Sequence, residues 1–237
     1  MQHLLSHMRR AIEDYNMIQE GDRIAVGLSG GKDSLAVLLA AHALKRFYPK
    51  SFHLEAITLD MGMEGMDFSP LVELCRTLEI PYTIEKTQIK EIVFDLRKES
   101  NPCSLCANLR RGALNSAAKQ RGLDKIMLGH HFDDVVETFL LSLLYEGRVN
   151  CFLPVTHLDR MDVTLLRPFI YVEERDIRRF AKTASLPVVH STCPANGNTK
   201  REYVKTLLGQ LEHENHGVKQ RLFTAMRNKV DGWQTVL

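Results

Sequence analysis

A chain of 237 residues, 44% hydrophobic and 25% charged, has room for one substantial core and the composition of an ordinary globular protein. No apolar run is long enough to span a bilayer, and Met1 to Ile18 mixes charges and apolar residues at helical spacing, which excludes a signal-peptide core; no membrane contact and a cytoplasmic location are expected. The net charge of +2 does not by itself mark a nucleic-acid partner, but 12 Lys/Arg against 7 Asp/Glu from Arg167 to Leu237 give that part +5, leaving −3 before it.

Strands and helices alternate along the chain. Arg23–Leu28 reads as a buried strand, and Ser34–Phe47 as a helix by its apolar spacing. Phe52–Leu59 is a second strand with Asp60 at its end, Phe68–Glu79 a helix stopped near Pro81, and Tyr82–Glu85 a short third strand. Helices follow at Ile89–Lys98 and Leu105–Arg121, a fourth strand at Lys125–Leu128, a helix at Asp133–Tyr145 and a fifth strand at Val163–Leu166. Glu173–Ala184, Lys200–Leu211 and Val218–Val230 read as helices. The fold class is therefore α/β, a parallel five-stranded sheet with helices on both faces and a small helical C-terminal extension. The boundary falls near Arg167–Tyr171, giving residues 1–170 as the α/β domain with its N-terminal helix and 171–237 as a basic extension that completes the site.

Ligands of such sheets bind at the carboxyl ends of the strands, where strand order reverses. Three polar segments fall there: Ser29–Ser34, Asp60 and Gly129–Asp134. In Ser29-Gly30-Gly31-Lys32-Asp33-Ser34, the glycines let backbone N–H groups approach anionic oxygens, and the following helix turns its positive end to the same place. Lys32 adds a full charge; Ser29 and Ser34 offer hydroxyls, and Ser34 is placed to cap the helix. The Walker spacing and the dinucleotide fingerprint are both absent. His130, His131, Asp133 and Asp134 precede or open a helix, where Asp133 also fits an N-cap. Asp33 and Asp60 are the candidates near Mg²⁺, which favours a few carboxylates with phosphate oxygens.

Five cysteines, an odd number, argue against a disulfide framework. Cys103 and Cys106 form a Cys-x-x-Cys pair, and Cys193 lies where folding can return it to the same sheet edge. Three thiolates suit a [4Fe–4S] cluster with one iron open. A zinc site completed by His190, a redox or persulfide pair, and unrelated thiols are the alternatives. Cys75 reads as core, and Cys151 lies in a loop. Arg110, Arg111, Arg167, Arg178, Arg179, Lys200 and Arg201 are candidates for phosphate contact with RNA.

The loop SGGKDS resembles the signature of the PP-loop superfamily, whose members cleave ATP between the α and β phosphates. Gly129-His130-His131-Phe132-Asp133-Asp134 followed by Glu137-Thr138 resembles its second motif. Pro102-Cys103-Ser104-Leu105-Cys106, then Leu109-Arg110-Arg111-Gly112, and the stretch from Leu166-Arg167-Pro168 to Ile177-Arg178-Arg179-Phe180 are similar to the bacterial tRNA 2-thiocytidine synthetases. The likeness runs from about Arg23 to Val230. Those synthetases carry a second Cys-x-x-Cys around Cys193, where this chain has one cysteine, and they extend further beyond Val230. The resemblance implies an ATP-dependent sulfurtransferase that adenylates a cytidine C2 carbonyl in tRNA and replaces its oxygen with sulfur. It implies ATP bound by Ser29, Gly30, Gly31, Lys32, Asp33, Ser34, Gly129, His130 and Asp134, with Mg²⁺. It also implies a [4Fe–4S] cluster on Cys103, Cys106 and Cys193, with Lys32, Asp33, Asp60, Cys103 and Cys193 in the chemistry. tRNA, a sulfide or persulfide donor, and a second copy of the chain are the expected partners. A relative using an amine nucleophile, a small-molecule thiolation enzyme, and a nucleotide-binding redox sensor are the other readings.

Overall fold

A computed structural model of the protein describes residues 1–97, 102–189, 192–193 and 200–235. The strands are β1 (Asp22–Gly27), β2 (Phe52–Asp60), β3 (Tyr82–Lys86), β4 (Lys125–Met127), β5 (Val155–Leu158) and β6 (Val163–Leu166), in the sheet order β3-β2-β1-β4-β6-β5. The helices are α1 (Gln2–Asp14), α2 (Lys32–Leu44), α3 (Ser69–Thr77), α4 (Pro102–Gln120), α5 (Phe132–Leu141), α6 (Glu174–Thr183), α7 (Lys200–Glu214) and α8 (Val218–Lys229).

The α/β architecture is as expected, with one difference in the sheet: it has six strands, not five. Neighbouring strands pair in parallel except β5, which runs antiparallel to β6 at the edge. This edge strand has four residues, none fully buried, so it carries almost no apolar alternation. In β1, by contrast, Ile24, Ala25 and Val26 are shut off on both faces, as a central parallel strand covered by helices requires. The chain runs from β1 outward through β2 and β3, then crosses back to β4 and β6. The order therefore reverses between β1 and β4, which opens a crevice at their carboxyl ends.

Three helix assignments shift. The segment expected as a helix over 89–98 holds a π-helical stretch, Glu91–Arg97, and Lys98 lies outside the described residues. The helix expected over 133–145 ends at Leu141 and continues as a π-helix, Ser142–Glu146. α4 begins at Pro102 rather than at Leu105, so Cys103 joins Cys106 inside its opening turns. Pro102 suits that place, because its missing N–H would have had no helical acceptor.

The C-terminal helices share the main core: Val204, Leu208, Phe223, Met226 and Trp233 belong to the same buried cluster as Ile24 and Leu35. Trp233 is fully buried, donates its indole N–H to Phe152 O at 3.1 Å, and accepts the Tyr15 hydroxyl on its carbonyl at 3.1 Å. No helix among the described residues is long and apolar enough to cross a membrane.

Candidate active site

The loop after β1 is cross-linked by its own serines. The Ser34 hydroxyl, only 5% exposed, donates to Gly31 O at 3.0 Å, accepts from Ser29 N–H at 3.1 Å, and lies 3.1 Å from Ser29 Oγ. Gly31, not Ser34, is the N-cap of α2, so the expected capping role of Ser34 is replaced by bracing of the loop. Gly30 has φ +81°, the left-handed region that glycine enters without penalty. Its carbonyl accepts Val189 N–H at 3.0 Å, which ties the loop to the strand of chain leading to Cys193. Gly129, at the end of β4, permits a second close approach: a Cβ there would stand 3.0 Å from Ser34 N and 3.1 Å from the Asp33 carbonyl carbon. The two polar segments thus meet at the mouth of the β1–β4 crevice.

Lys32 is gripped by two carboxylates. Its Nζ lies 2.9 Å from Asp33 Oδ1 and 3.0 Å from Glu174 Oε1 on α6. Burial opposes the ammonium charge, but Asp33 and Glu174 outweigh it and raise the Lys32 pKa. Glu174 escaped the sequence reading; its only local sign is an acidic place in the first turn of a helix. Asp60 closes β2, where its Oδ1 accepts Gly62 N–H at 2.9 Å. Thr58 on the same strand donates to Leu28 O at 2.6 Å, which fixes β2 against the root of the phosphate loop.

In the second motif His131, not Asp133, caps α5: its Nδ1 accepts Asp134 N–H at 3.4 Å while Asp134 Oδ2 accepts His131 N–H at 3.0 Å. The His131 Nε2 lies 3.8 Å from Asp33 Oδ1, which joins this cap to the phosphate loop. Asp133 turns elsewhere, accepting Glu174 N–H at 2.7 Å and Lys219 Nζ at 2.6 Å. Burial works against its charge, but these two donors prevail and lower its pKa. Asp134 and Glu137 take Arg201 Nη1 at 3.3 and 3.4 Å, fastening α7 to α5.

Glu137 is 4% exposed, and burial, followed by the nearby Asp134, pushes its carboxyl up to about 7 despite Arg201. A carboxyl whose folded pKa is raised holds its proton more tightly when folded. Its contribution to stability is therefore present below the ordinary carboxylate range and is lost as pH rises through about 7. Glu137→Gln keeps the shape without the charge. It should melt higher than the natural chain at about pH 8 and no higher at about pH 4 in thermal unfolding. An equal shift at both values would remove the titration of Glu137 as the cause.

His130 and Arg167 form a distinct polar pair at the ends of β4 and β6. The His130 ring lies 4.9 Å from Phe152, and the Arg167 guanidinium stands 5.0 Å over the same ring. Burial, then Arg167, drives the His130 pKa down to about 4, so the imidazole is neutral at pH 7. Arg167 is 7% exposed and binds Leu153 O and Thr156 Oγ1 at 2.6 and 2.9 Å. That burial removes it from the residues able to meet surface phosphates. His130 Nδ1 and Arg167 Nε are both buried without a hydrogen-bond partner. Burial, then repulsion from Arg111 of α4, lowers the Arg167 pKa to about 10.

Further along α4, toward its start, Cys103 is exposed and Cys106 half-buried, as is Cys193. Burial raises the Cys106 thiol, Arg110 pulls it down, and Cys193 and Cys103 both act on it, which places the three sulfurs in one neighbourhood. Among the described residues no three His, Cys, Asp or Glu side chains are drawn close enough to hold a single metal ion. A cubane spreads its ligands over different irons and takes thiolates, the donor type that these three cysteines offer. His190, the candidate fourth zinc ligand, lies outside the described residues. Cys75 and Cys151 are buried elsewhere, and burial pushes their thiols up to about 11 and about 12.

Of the remaining basic candidates, Arg178 pairs with Glu174, Arg179 with Asp176, and Lys200 lies 4.6 Å over the Tyr145 ring. These charges brace the helices as well as facing solvent.

Comparison with known proteins agrees with this geometry. The PP-loop domain family matches residues 3–211. A tRNA-cytidine(32) 2-sulfurtransferase of Geobacter metallireducens is 41% identical over 222 residues, covering 92% of this chain and 86% of that protein. A tRNA-cytidine(32) 2-sulfurtransferase 1 of Francisella philomiragia is 37% identical over 227 residues, covering 95% and 89%. Among solved structures, the U34-tRNA thiolase NcsA of Methanococcus maripaludis with its [4Fe-4S] cluster superposes with a TM-score of 0.78 at 24% identity, covering 94% of this chain and 77% of that one. The chain belongs to the PP-loop family, in the branch that holds the tRNA-cytidine(32) 2-sulfurtransferases.

Proposed function

We propose that the protein is an ATP-dependent tRNA sulfurtransferase that exchanges the C2 oxygen of a cytidine for sulfur. One observation carries the reading: Cys106 feels both Cys103 and Cys193, and Val189, four residues before Cys193 in the chain, donates its N–H to Gly30 O of the phosphate loop. An amine-using relative has no need of such a thiolate group. The kinship with the 2-sulfurtransferases of Geobacter and Francisella supports the substrate.

In this reading Gly30, Gly31 and Lys32 bind the triphosphate and stabilise charge on its oxygens, with Asp33 and Asp60 toward Mg²⁺. The cytidine O2 attacks the α-phosphorus, pyrophosphate leaves, and the C2 oxygen becomes part of an AMP leaving group. His130 and Arg167, at the ends of β4 and β6, orient the base; the buried Arg167 Nε, without a hydrogen-bond partner, suits a carbonyl oxygen. Cys103, Cys106 and Cys193 would hold a [4Fe–4S] cluster, which would supply the sulfur nucleophile. Attack at C2 releases AMP. Sulfide, supplied as such or released from a persulfide carrier by a two-electron thiol reductant, replenishes the sulfur, and the exposed sides of Arg178, Arg179 and Lys200 meet tRNA phosphates.

Mass spectrometry of total tRNA nucleosides from cells with and without the gene tests the proposal. The expected result is loss of 2-thiocytidine, restored by the natural chain. Unchanged 2-thiocytidine in cells lacking the gene overturns it.

A further inference from the structure

The phosphate-loop lysine is not free to meet a ligand: its ammonium rests on a carboxylate from a helix far away in the sequence. Glu174 has a side chain only 12% exposed and accepts three cations at once, Lys32 at 3.0 Å, Arg178 at 3.0 Å and Lys205 at 2.9 Å. Its place is fixed twice over. The backbone N–H is held by Asp133, itself clamped by Lys219 of α8, and the side chain is held by α7 through Lys205. A group so anchored dictates where Lys32 sits, while the lysine's long, flexible stem could otherwise sample many positions.

The charges also set a competition. A triphosphate that draws Lys32 toward its oxygens must take it from Glu174 and Asp33. Glu174 tolerates the loss because Lys205 and Arg178 still neutralise it; without them a buried carboxylate would be left uncompensated. We propose, on the nucleotide reading above, that Glu174 is a positioning residue of the phosphate loop, aiming Lys32 at the cost of ATP affinity and supported in this by Arg178 of α6 and Lys205 of α7.

The test separates affinity from turnover. Glu174→Gln should bind a non-hydrolysable ATP analogue about 3-fold or more tighter, because Lys32 is released, while substrate-dependent pyrophosphate release slows by about 10-fold or more. Loss of packing alone would weaken both. Glu174→Asp keeps the charge but withdraws it by one methylene. Tighter binding by about 2-fold in that variant would therefore reflect freed Lys32 and not a changed net charge, and it serves if the Gln variant does not fold. On a Lys32→Ala background, Glu174→Gln should change affinity by less than about 2-fold. Calorimetry on the full chain, with melting curves for each variant, reads all three. Weaker binding in folded Glu174 variants, or equal effects with and without Lys32, overturns the proposal. Absence of analogue binding by the natural chain would instead sink the nucleotide reading and this one with it.

Discussion

Gly30→Ala is expected to abolish ATP binding and to lower the melting temperature by about 6–12 °C, the equivalent of about 3 kcal/mol in a chain of this size. Two penalties add. The backbone there has φ +81°, where an alanine is strained. The new Cβ would also stand 2.8 Å from Val189 Cβ, an atom next to the main chain that cannot swing aside. Relief requires Val189 to retreat, which breaks its N–H bond to Gly30 O and shifts the chain running to Cys193. Gly31 makes the control. Its φ of −73° is open to any residue, and a Cβ there meets only Ser29 Oγ at 3.5 Å. Gly31→Ala should therefore melt like the natural chain, so that any lost affinity reports on the approach of phosphate to the backbone. Lys32→Ala should likewise fold and lose about 10-fold or more in ATP affinity. Melting curves and calorimetry with an ATP analogue decide the matter. A Gly30→Ala variant that melts and binds like the natural chain would show that the loop's left-handed turn is not required.

The contrast between Gly30 and Gly31 illustrates what a sequence can carry. Two adjacent glycines before a lysine announce a phosphate loop, because local geometry and local charge lie within six residues. Which of the two is indispensable depends on Val189, brought back by the fold. The same holds for Lys32: its neighbour Asp33 is adjacent in sequence, whereas Glu174 arrives from α6 with only an acidic place in a first helical turn to mark it. Asp133 offered a plausible N-cap, yet the competition between His131 and Asp133 for that place is settled by Glu174 N–H and Lys219, two partners from distant helices. In the sheet, β1 is legible since burial on both faces leaves an unbroken apolar run. β5 is not, because an edge strand of four residues needs neither alternation nor full burial and is held by its bonds to β6. In the sequence Arg167 stands among the candidates for phosphate contact with RNA. Its burial follows from the loop at Leu153 and Thr156 folding over it, which no periodicity records.

Cysteine replacement should divide the five thiols into two groups. Protein purified without oxygen is expected to be brown and to carry about four irons per chain. Cys103→Ala, Cys106→Ala and Cys193→Ala should each bleach it and reduce tRNA thiolation below detection, while Cys75→Ala and Cys151→Ala keep both colour and activity. The division follows from surroundings. Cys75 and Cys151 are 1% and 5% exposed, and burial holds their thiols at about 11 and about 12, so neither offers the thiolate that binds metal. Their truncation removes one buried atom from the core and is expected to cost stability only. Cys106 differs from both in feeling two other thiols, Cys103 and Cys193, while Arg110 opposes the effect of burial. Thiolates brought together repel one another, so a cation or cationic cluster among them stabilises the group as a whole. Loss of any one sulfur removes an anchor that the other two cannot replace. Iron and zinc analysis with visible absorption reads the outcome. Stoichiometric zinc without iron, in protein purified and reconstituted anaerobically, would replace the cluster by a structural metal and leave the sulfur chemistry without its carrier.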